Sequence, residues 1–191
     1  KPTILLPIKS MVERINTQEL DALTHDVVEF TMENCNHQEC PLTEQERHKY
    51  NSIPTSVIQK EREILSNNIN CEKLVKFKVG AQVMCTINLD LNNELPICNG
   101  SLGIITRFTF EGIPVVKFNN GSERPIYKHI WKSDNIPGVG VKQIPLVLAW
   151  AITIHKSQGA TLDLAEIDVG SNIFEAGQTY VALSRVKELN G

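Results

Sequence analysis

The chain has 191 residues, enough for one domain with a sizeable core or for one domain with a small insert. Its composition, 41% hydrophobic and 21% charged, is ordinary for a globular protein. It has no apolar run long enough to predict a transmembrane helix, and Pro7 and Lys9 interrupt the first apolar run, so we expect no signal peptide. The five cysteines form no even, closely spaced framework, which favours an intracellular, reducing compartment.

The net charge of −3 argues by itself against a nucleic-acid partner, but its distribution along the chain is more informative. Residues 1–70 carry 7 Lys/Arg and 11 Asp/Glu, whereas residues 71–140 carry 8 and 6. The basic excess in the middle of the chain is compatible with a phosphate backbone running there. A solvated surface of random charge explains it equally well.

The chain opens with an apolar run, Thr3–Leu6, which predicts a strand. A helix should follow from Ser10 to about Leu23, because Ser10 and Glu13 have the spacing of a capping box. A second capping box is offered by Thr43–Glu46, and another helix is expected at about 55–66. We expect the polar stretch 24–53 to be poorly regular.

Short β-type runs broken by turn signals occupy residues 74–130. They predict a small antiparallel barrel. After a Pro- and Gly-containing linker at 135–140, a continuous apolar run at 146–152 is typical of a buried parallel strand, and a strand at 165–169 and a helix at 176–186 follow.

The expected fold is therefore α/β: a parallel sheet domain built from both ends of the chain, with an antiparallel β-barrel inserted between them. The expected boundaries are 1–70 for the first part with its polar insertion, 71–140 for the barrel and 141–191 for the remainder.

The segment Thr153–Gly159 carries the densest set of phosphate-binding groups. A buried strand should deliver Thr153, His155, Lys156 and Ser157 to its carboxyl end, where open α/β sheets place ligands. Hydroxyl, imidazole, ammonium and free helix N-terminal amide groups all suit phosphate oxygens. An alternative of equal weight is that the hydroxyls only cap a helix and that the imidazole bonds a core carbonyl.

Arg185 is the second candidate, on a predicted helix whose neighbouring residues are mostly apolar. An Arg suits a phosphate because of its fixed charge and planar fork. Taken alone, a surface Arg in a salt bridge would be the ordinary explanation.

Considered together, these stretches resemble a known family. The run Ala149–Asp163 (AWAITIHKSQGATLD) resembles motif V of PIF-type superfamily-one DNA helicases, and Gly177–Arg185 (GQTYVALSR) resembles their motif VI. Lys78–Met84 is similar to the entry of that family's small Src-homology-three-like barrel, and residues 5–16 are similar to its motif IV region. Residues 24–70 match poorly.

The resemblance implies the second RecA-like domain of such a helicase, with roles for particular residues. Thr153, His155 and Ser157 would contact single-stranded DNA, with the role of Lys156 left open. Gln158 and Gly159 would lie near the nucleotide, and Arg185 would be the arginine finger that stabilises charge on the γ-phosphoryl group. The family also implies forked DNA as a substrate, five-prime to three-prime unwinding, and work in DNA repair and recombination.

ATP and Mg²⁺ would be bound mainly by a first RecA-like domain, a partner that this sequence does not contain. No Gly-Lys pair occurs, so the chain has no phosphate-binding loop of the G-x-x-x-x-G-K-[ST] type. We therefore expect the C-terminal motor half of a helicase, inactive alone as an ATPase and without a membrane partner.

Three other hypotheses stay open. Cys35, His37, Cys40 and His48 are zinc-ligand types, but their spacing is not that of a tight finger, and a polar insertion explains them better. The chain could instead be a non-catalytic single-stranded nucleic-acid-binding module, which would bind DNA alone with steep salt dependence. It could also be a protein-interaction domain that docks through residues 24–70.

Overall fold

The computed structural model describes residues 1–157, 165–167 and 184. Its helices are α1 (Lys9–Ala22), α2 (Glu44–Ser52) and α3 (Thr55–Asn68). Its strands are β1 (Thr3–Leu6), β2 (Val28–Thr31), β3 (Glu33–Asn34), β4 (Leu74–Phe77), β5 (Gln82–Cys85), β6 (Leu102–Phe108), β7 (Pro114–Phe118), β8 (Glu123–Pro125), β9 (His129–Lys132), β10 (Gly140–Gln143), β11 (Leu146–Leu148), β12 (Ala151–Thr153) and β13 (Ala165–Ile167).

A parallel sheet joins the two ends of the chain, as expected. Its strand order is β12-β1-β13, and β1 pairs in parallel with both neighbours. Leu5 and Ile152 are buried on one side of this sheet. Leu6 and Ala151 are buried on the other side, where they pack with Val12 of α1. The parallel arrangement places the carboxyl ends of β1 and β12 at the same edge.

Helix α1 confirms the predicted helix, with a different start. It begins at Lys9 after Ile8, which makes no side-chain capping bond, so the predicted capping box from Ser10 to Glu13 is wrong. Glu13 instead forms an i,i+4 ion pair with Lys9. The box predicted at Thr43 and Glu46 is confirmed at the start of α2, with both reciprocal bonds present.

The run at 146–152 is two strands rather than the one that we expected. Leu146–Leu148 (β11) pairs antiparallel with β5, and Ala151–Thr153 (β12) pairs in parallel with β1. The chain leaves one sheet and enters the other at residues 149–150. Apolar periodicity could not separate the two strands, because both are buried and hydrophobicity does not reveal which strand is the partner.

An antiparallel sheet of order β11-β5-β6-β7-β8 forms the middle of the chain. Its buried side includes Val83, Ile105 and Val116. A register shift between Ile105 and Arg107 interrupts the pairing of β6 with β7. The described strands form an open order with β11 and β8 at the edges, so the Src-homology-three-like barrel stays a prediction.

Residues 24–53 are more regular than expected, since they contain β2, β3 and α2. β3 pairs with β10, and β10 with β9, while β2 pairs with β4. This regular structure depends on pairing with strands that are distant in sequence, since Glu33 and Asn34 pair with Lys142 and Val141. Local composition carries no sign of such pairing, which explains the wrong expectation.

The described residues group into two compact units. Among the described residues, the first contains 1–28, 76–126, 146–157 and 165–167, and the second contains 29–75 with 127–145. These units divide the chain at points other than the expected domain boundaries, and those boundaries stay a prediction. Among the described helices, none has the length and apolar character needed to span a membrane.

Close approach of β6 and β7 at Gly103 gives a test of the antiparallel sheet. A Cβ at this position would lie 2.6 Å from Val116 Cγ1 and 2.7 Å from the Lys117 carbonyl oxygen. We expect Gly103→Ala to lower the free energy of unfolding by about 3 kcal/mol, the upper end of overpacking costs, because the Lys117 oxygen belongs to the backbone and cannot move aside cheaply. Denaturant unfolding of the chain measures the change.

Gly121→Ala is the control, because its φ of +89° is strained for alanine but its Cβ would meet nothing within 4 Å. The control should cost about 1–2 kcal/mol, from backbone strain alone. Equal costs at the two glycines would contradict the close packing of β6 on β7.

Candidate nucleic-acid interface

The residues that follow β12 form a tight hydrogen-bonded turn at the carboxyl edge of the parallel sheet. Thr153 Oγ1 accepts from the Lys156 backbone N–H at 3.2 Å. The Ser157 N–H donates to the Thr153 carbonyl at 3.1 Å, and Ser157 Oγ donates to the Ile154 carbonyl at 2.6 Å. Both hydroxyls therefore bond the local backbone of the turn.

Exposure separates the four predicted DNA-contacting residues. Ser157 is fully buried and Thr153 is only 9% exposed, whereas Lys156 is half-buried and His155 is exposed. The groups that reach solvent from this turn are thus the imidazole and the ammonium. The turn brings all four residues together in sequence and space, and their role in binding DNA stays a prediction.

Asn16 of α1 bonds both backbone groups of Ala151, at the start of β12. Its Nδ2 donates to the Ala151 carbonyl at 2.8 Å, and its Oδ1 accepts from the Ala151 N–H at 2.9 Å. β12 is an edge of the described parallel sheet, and buried backbone groups at such an edge need partners. Asn16 supplies the two bonds that a further strand would make, two residues before Thr153.

Gln82 of β5 and Thr3 of β1 bond Ala149 in a similar way. The Ala149 carbonyl accepts from Gln82 Nε2 at 2.9 Å and from Thr3 Oγ1 at 2.9 Å. The Ala149 N–H donates to the Gln82 carbonyl at 2.8 Å. Gln82 Nε2 also lies 3.1 Å from the Lys1 carbonyl oxygen. Between these positions the Trp150 carbonyl accepts from the Ile4 N–H at 2.9 Å.

Sequence reasoning did not assign a role to Asn16 or Gln82, although a signal for one of them was present. Asn16 lies four residues from Val12 and four from Leu20, on the buried stripe of α1. A polar side chain on the buried face of a helix needs a hydrogen-bond partner. Gln82 gives a weaker signal, because alternation in a strand buried on both sides does not distinguish its positions.

The nucleotide-contacting candidates Gln158, Gly159 and Arg185 lie outside the described residues, as does the predicted helix at 176–186. Their roles stay predictions.

Electrostatic pairing in the second compact unit is concentrated on Glu33 and Lys142. Glu33 pairs with Lys128 and, at 3.3 Å, with Lys142, and these contacts lower its pKa. Lys142 Nζ lies 2.7 Å from Glu39 Oε1; the pair lowers the pKa of Glu39 and raises that of Lys142. Each charge is engaged by an opposite one, so this cluster stabilises strand pairing and presents no uncompensated field.

The zinc-ligand types fall in the same unit, in two separate environments. Cys35 and Cys40 are buried with their thiols hydrogen bonded to each other, and burial first, then that contact, raises the pKa of Cys35 to about 12. His37 instead packs edge-to-face on Tyr50, with ring centroids 6.0 Å apart. No group of three or more metal-ligating side chains occurs within the part of the chain that the structure describes.

Comparison with known proteins agrees with this geometry. The family model "DNA helicase Pif1, 2B domain" matches residues 62–108. The ATP-dependent DNA helicase PIF1 of Xenopus laevis is 38% identical over 188 residues, which cover 94% of this chain and 28% of that protein. The human protein of the same name is 43% identical over 123 residues, covering 62% of this chain and 19% of that protein.

Solved structures give the same result over the whole chain. A Bacteroides Pif1 helicase has a TM-score of 0.71 at 30% identity. The match covers 100% of this chain and 39% of the Bacteroides chain. Bacteroides Pif1 bound to single-stranded DNA has a TM-score of 0.62, and Bacteroides Pif1 in complex with ADP-AlF4 has 0.68, each at 30% identity, with the same coverage. A further structure describes unwinding of forked DNA by two Pif1 helicases, with a TM-score of 0.63 at 31% identity and coverage of 100% and 38%.

The architecture is thus a mixed α/β fold with a parallel sheet and antiparallel sheets, similar to that of the Pif1 helicase structures. The chain is a PIF-type helicase domain. It spans about a quarter of the length of the Xenopus relative and under a fifth of the human one.

The hydroxyl of Thr153 gives a direct test of the turn. We expect Thr153→Val to speed hydrogen exchange of the Lys156 amide, because valine keeps the side-chain shape but removes the hydroxyl acceptor. The free energy of unfolding should fall by about 1 kcal/mol, the ordinary worth of one such bond.

Thr153→Ser is the matched control, since it keeps the acceptor and removes only a methyl group. Exchange at Lys156 should stay close to wild type in the serine variant when followed by NMR. Identical exchange in the two variants would show that the threonine hydroxyl does not hold this turn.

Proposed function

We propose that this chain is the C-terminal motor half of an ATP-dependent DNA helicase that grips single-stranded DNA. The observation that carries the proposal is the exposed His155 beside the half-buried Lys156, at the carboxyl edge of the parallel sheet. An imidazole and an ammonium at such an edge are suitable partners for phosphate oxygens. The similarity to a Pif1 helicase bound to single-stranded DNA supports it.

The buried hydroxyls have a supporting role in this proposal. Thr153 and Ser157 hold the turn through their bonds to Lys156 N–H and to the Ile154 carbonyl, so that His155 projects to solvent. We also propose that the middle segment, 71–140, forms the Src-homology-three-like barrel of the family and guides the DNA with its basic excess. Forked DNA is the proposed substrate, because a similar Pif1 structure concerns unwinding at forks.

The nucleotide would bind between this chain and a first RecA-like domain, its expected partner. That domain would hold most of the ATP and the Mg²⁺, while Gln158 and Gly159 approach from this side and Arg185 completes the site. Similarity to a Pif1 helicase in complex with ADP-AlF4 supports nucleotide use. Five-prime to three-prime movement, a role in repair and recombination, and an intracellular setting belong to the same proposal.

We expect this chain to bind single-stranded DNA weakly, with affinity that falls with salt by a log–log slope of about −0.7 for each phosphate contacted. Replacing Thr153 and His155 together by alanine should weaken binding about tenfold or more, because the exposed ring and the turn that presents it are both lost. Fluorescence anisotropy at two salt concentrations measures both effects.

The double variant Thr55→Ala with His48→Ala is the matched control, since it removes the same two residue types at exposed positions elsewhere. It should bind like wild type. Equal affinity of the test variant and this control would place the DNA track away from β12. Complete absence of binding by the wild-type chain would leave no DNA grip in this half.

The proposed nucleotide site gives a prediction for a helicase that contains both RecA-like domains, the second of them formed by this chain. Arg185→Ala should lower the kcat of DNA-stimulated ATP hydrolysis by about 10³ or more, because the γ-phosphoryl charge loses its stabilising cation. Single-stranded DNA affinity should change little.

Arg185→Lys is the matched variant for this experiment. It keeps the charge but loses the planar fork, so it should restore only part of the rate. Normal DNA-stimulated turnover in the alanine variant would exclude Arg185 as the arginine finger.

A further inference from the structure

Two buried side-chain amides converge on three consecutive residues, Ala149–Ala151, that lead into the proposed DNA-contacting turn. Asn16 is 8% exposed and Gln82 is 7% exposed. They come from α1 and from the five-stranded antiparallel sheet, which are separate parts of the first compact unit. Buried amides are costly unless bonded, and both side chains bond backbone groups of this segment, Asn16 at Ala151 and Gln82 at Ala149.

The bonds fix both ends of this short segment. The Asn16 side chain donates to the Ala151 carbonyl and accepts from the Ala151 N–H. The Gln82 side chain donates to the Ala149 carbonyl, and the Gln82 backbone carbonyl accepts from the Ala149 N–H. The segment is the crossing between β11 and β12. Without the two side chains, the N–H and carbonyl of Ala151 would lose the partners described here, and the Ala149 carbonyl would keep only the Thr3 hydroxyl.

Only Ile152 separates Ala151 from Thr153, whose carbonyl and hydroxyl organise the turn that carries His155. A β-strand rises about 3.3 Å per residue, so Ala151 and Thr153 lie only about 7 Å apart along β12. We therefore expect a shift or rotation at Ala151 to move the turn as well.

We infer that Asn16 and Gln82 are positioning residues, an amide clamp that sets the orientation of residues 153–157 toward single-stranded DNA. This inference rests on the proposed DNA-gripping function. Gln82 belongs to β5, so the clamp also connects the antiparallel sheet to the DNA-contacting turn. A movement of β5 would therefore change the orientation of the turn. Neither residue contacts DNA in this account.

Near-isosteric acids test the clamp without changing side-chain size. Asn16→Asp keeps the oxygen that accepts from the Ala151 N–H. It replaces the NH₂ group that donates to the Ala151 carbonyl with a second oxygen, so two oxygens then face each other. Gln82→Glu sets an oxygen against the Ala149 and Lys1 carbonyls. Each change disturbs the clamp by exchanging one donor group for an acceptor.

Gln143 provides a closely matched control. It is a fully buried glutamine whose Nε2 lies 3.0–3.3 Å from three backbone carbonyls, those of Phe30, Glu72 and Lys73. It belongs to the second compact unit, and its Oε1 accepts from the Ile144 N–H. Gln143→Glu therefore repeats the chemical change of Gln82→Glu at a site with no part in the clamp.

The experiment measures Kd for a single-stranded oligonucleotide by anisotropy, in wild type and in the Thr153→Ala, His155→Ala background. We expect Asn16→Asp and Gln82→Glu to raise Kd about tenfold in wild type and to have almost no effect in that background, because they act through the same grip. Gln143→Glu should leave Kd unchanged. Circular dichroism and denaturant unfolding confirm that each variant is folded.

An equal effect in both backgrounds, or no effect in wild type, would overturn the clamp while leaving the proposed function intact. Loss of all DNA binding by wild type would overturn both. If the acid variants do not fold, the wild-type chain decides the matter by NMR. The side-chain NH₂ signals of Asn16 and Gln82 should shift on DNA titration with the same Kd as the His155 ring, and unmoved signals would overturn the clamp.

Discussion

The structure depends on satisfying the backbone where the chain crosses from an antiparallel sheet to a parallel one. At residues 149–151 no single ladder can serve all the polar groups, because β11 and β12 belong to different sheets. The missing partners are supplied by Asn16, by Gln82 and by the hydroxyl of Thr3. Each would be an unfavourable buried polar residue elsewhere, and here each completes the hydrogen bonding of buried backbone.

This constraint explains how a local turn becomes a candidate binding surface. From Ala151 onward β12 pairs in register with β1, so that Thr153 at its end lies opposite Leu6 at the end of β1. The hydroxyls of Thr153 and Ser157 then close the turn, and His155 is left facing solvent. The proposed DNA-contacting edge is therefore shaped by two hydroxyls, those of Thr153 and Ser157, whose bonds are to the backbone of the turn.

Much of the fold could be predicted from sequence, and the failures have a common cause. The strand at Thr3–Leu6, α1, α3 and the capping box of α2 follow from local signals, and the structure confirms them. The split of residues 146–152 and the pairing of Glu33 and Asn34 depend on distant partners that no local pattern reveals. For the site, the segment 153–157 could be located by its residue types, but the burial of two of its hydroxyls could not, since burial is a property of the packed structure.

Hydrogen exchange of the Ala149 and Ala151 backbone amides, followed by NMR on the unaltered chain, measures how firmly the crossing between the two sheets is held. If the side chain of Asn16 and the backbone of Gln82 hold this crossing as described, both amides exchange only on global unfolding, with the same free energy as the centre of β5. Exchange at Ala149 or Ala151 near the rate of an unstructured peptide would contradict the account, because the segment that presents the turn would then not be held.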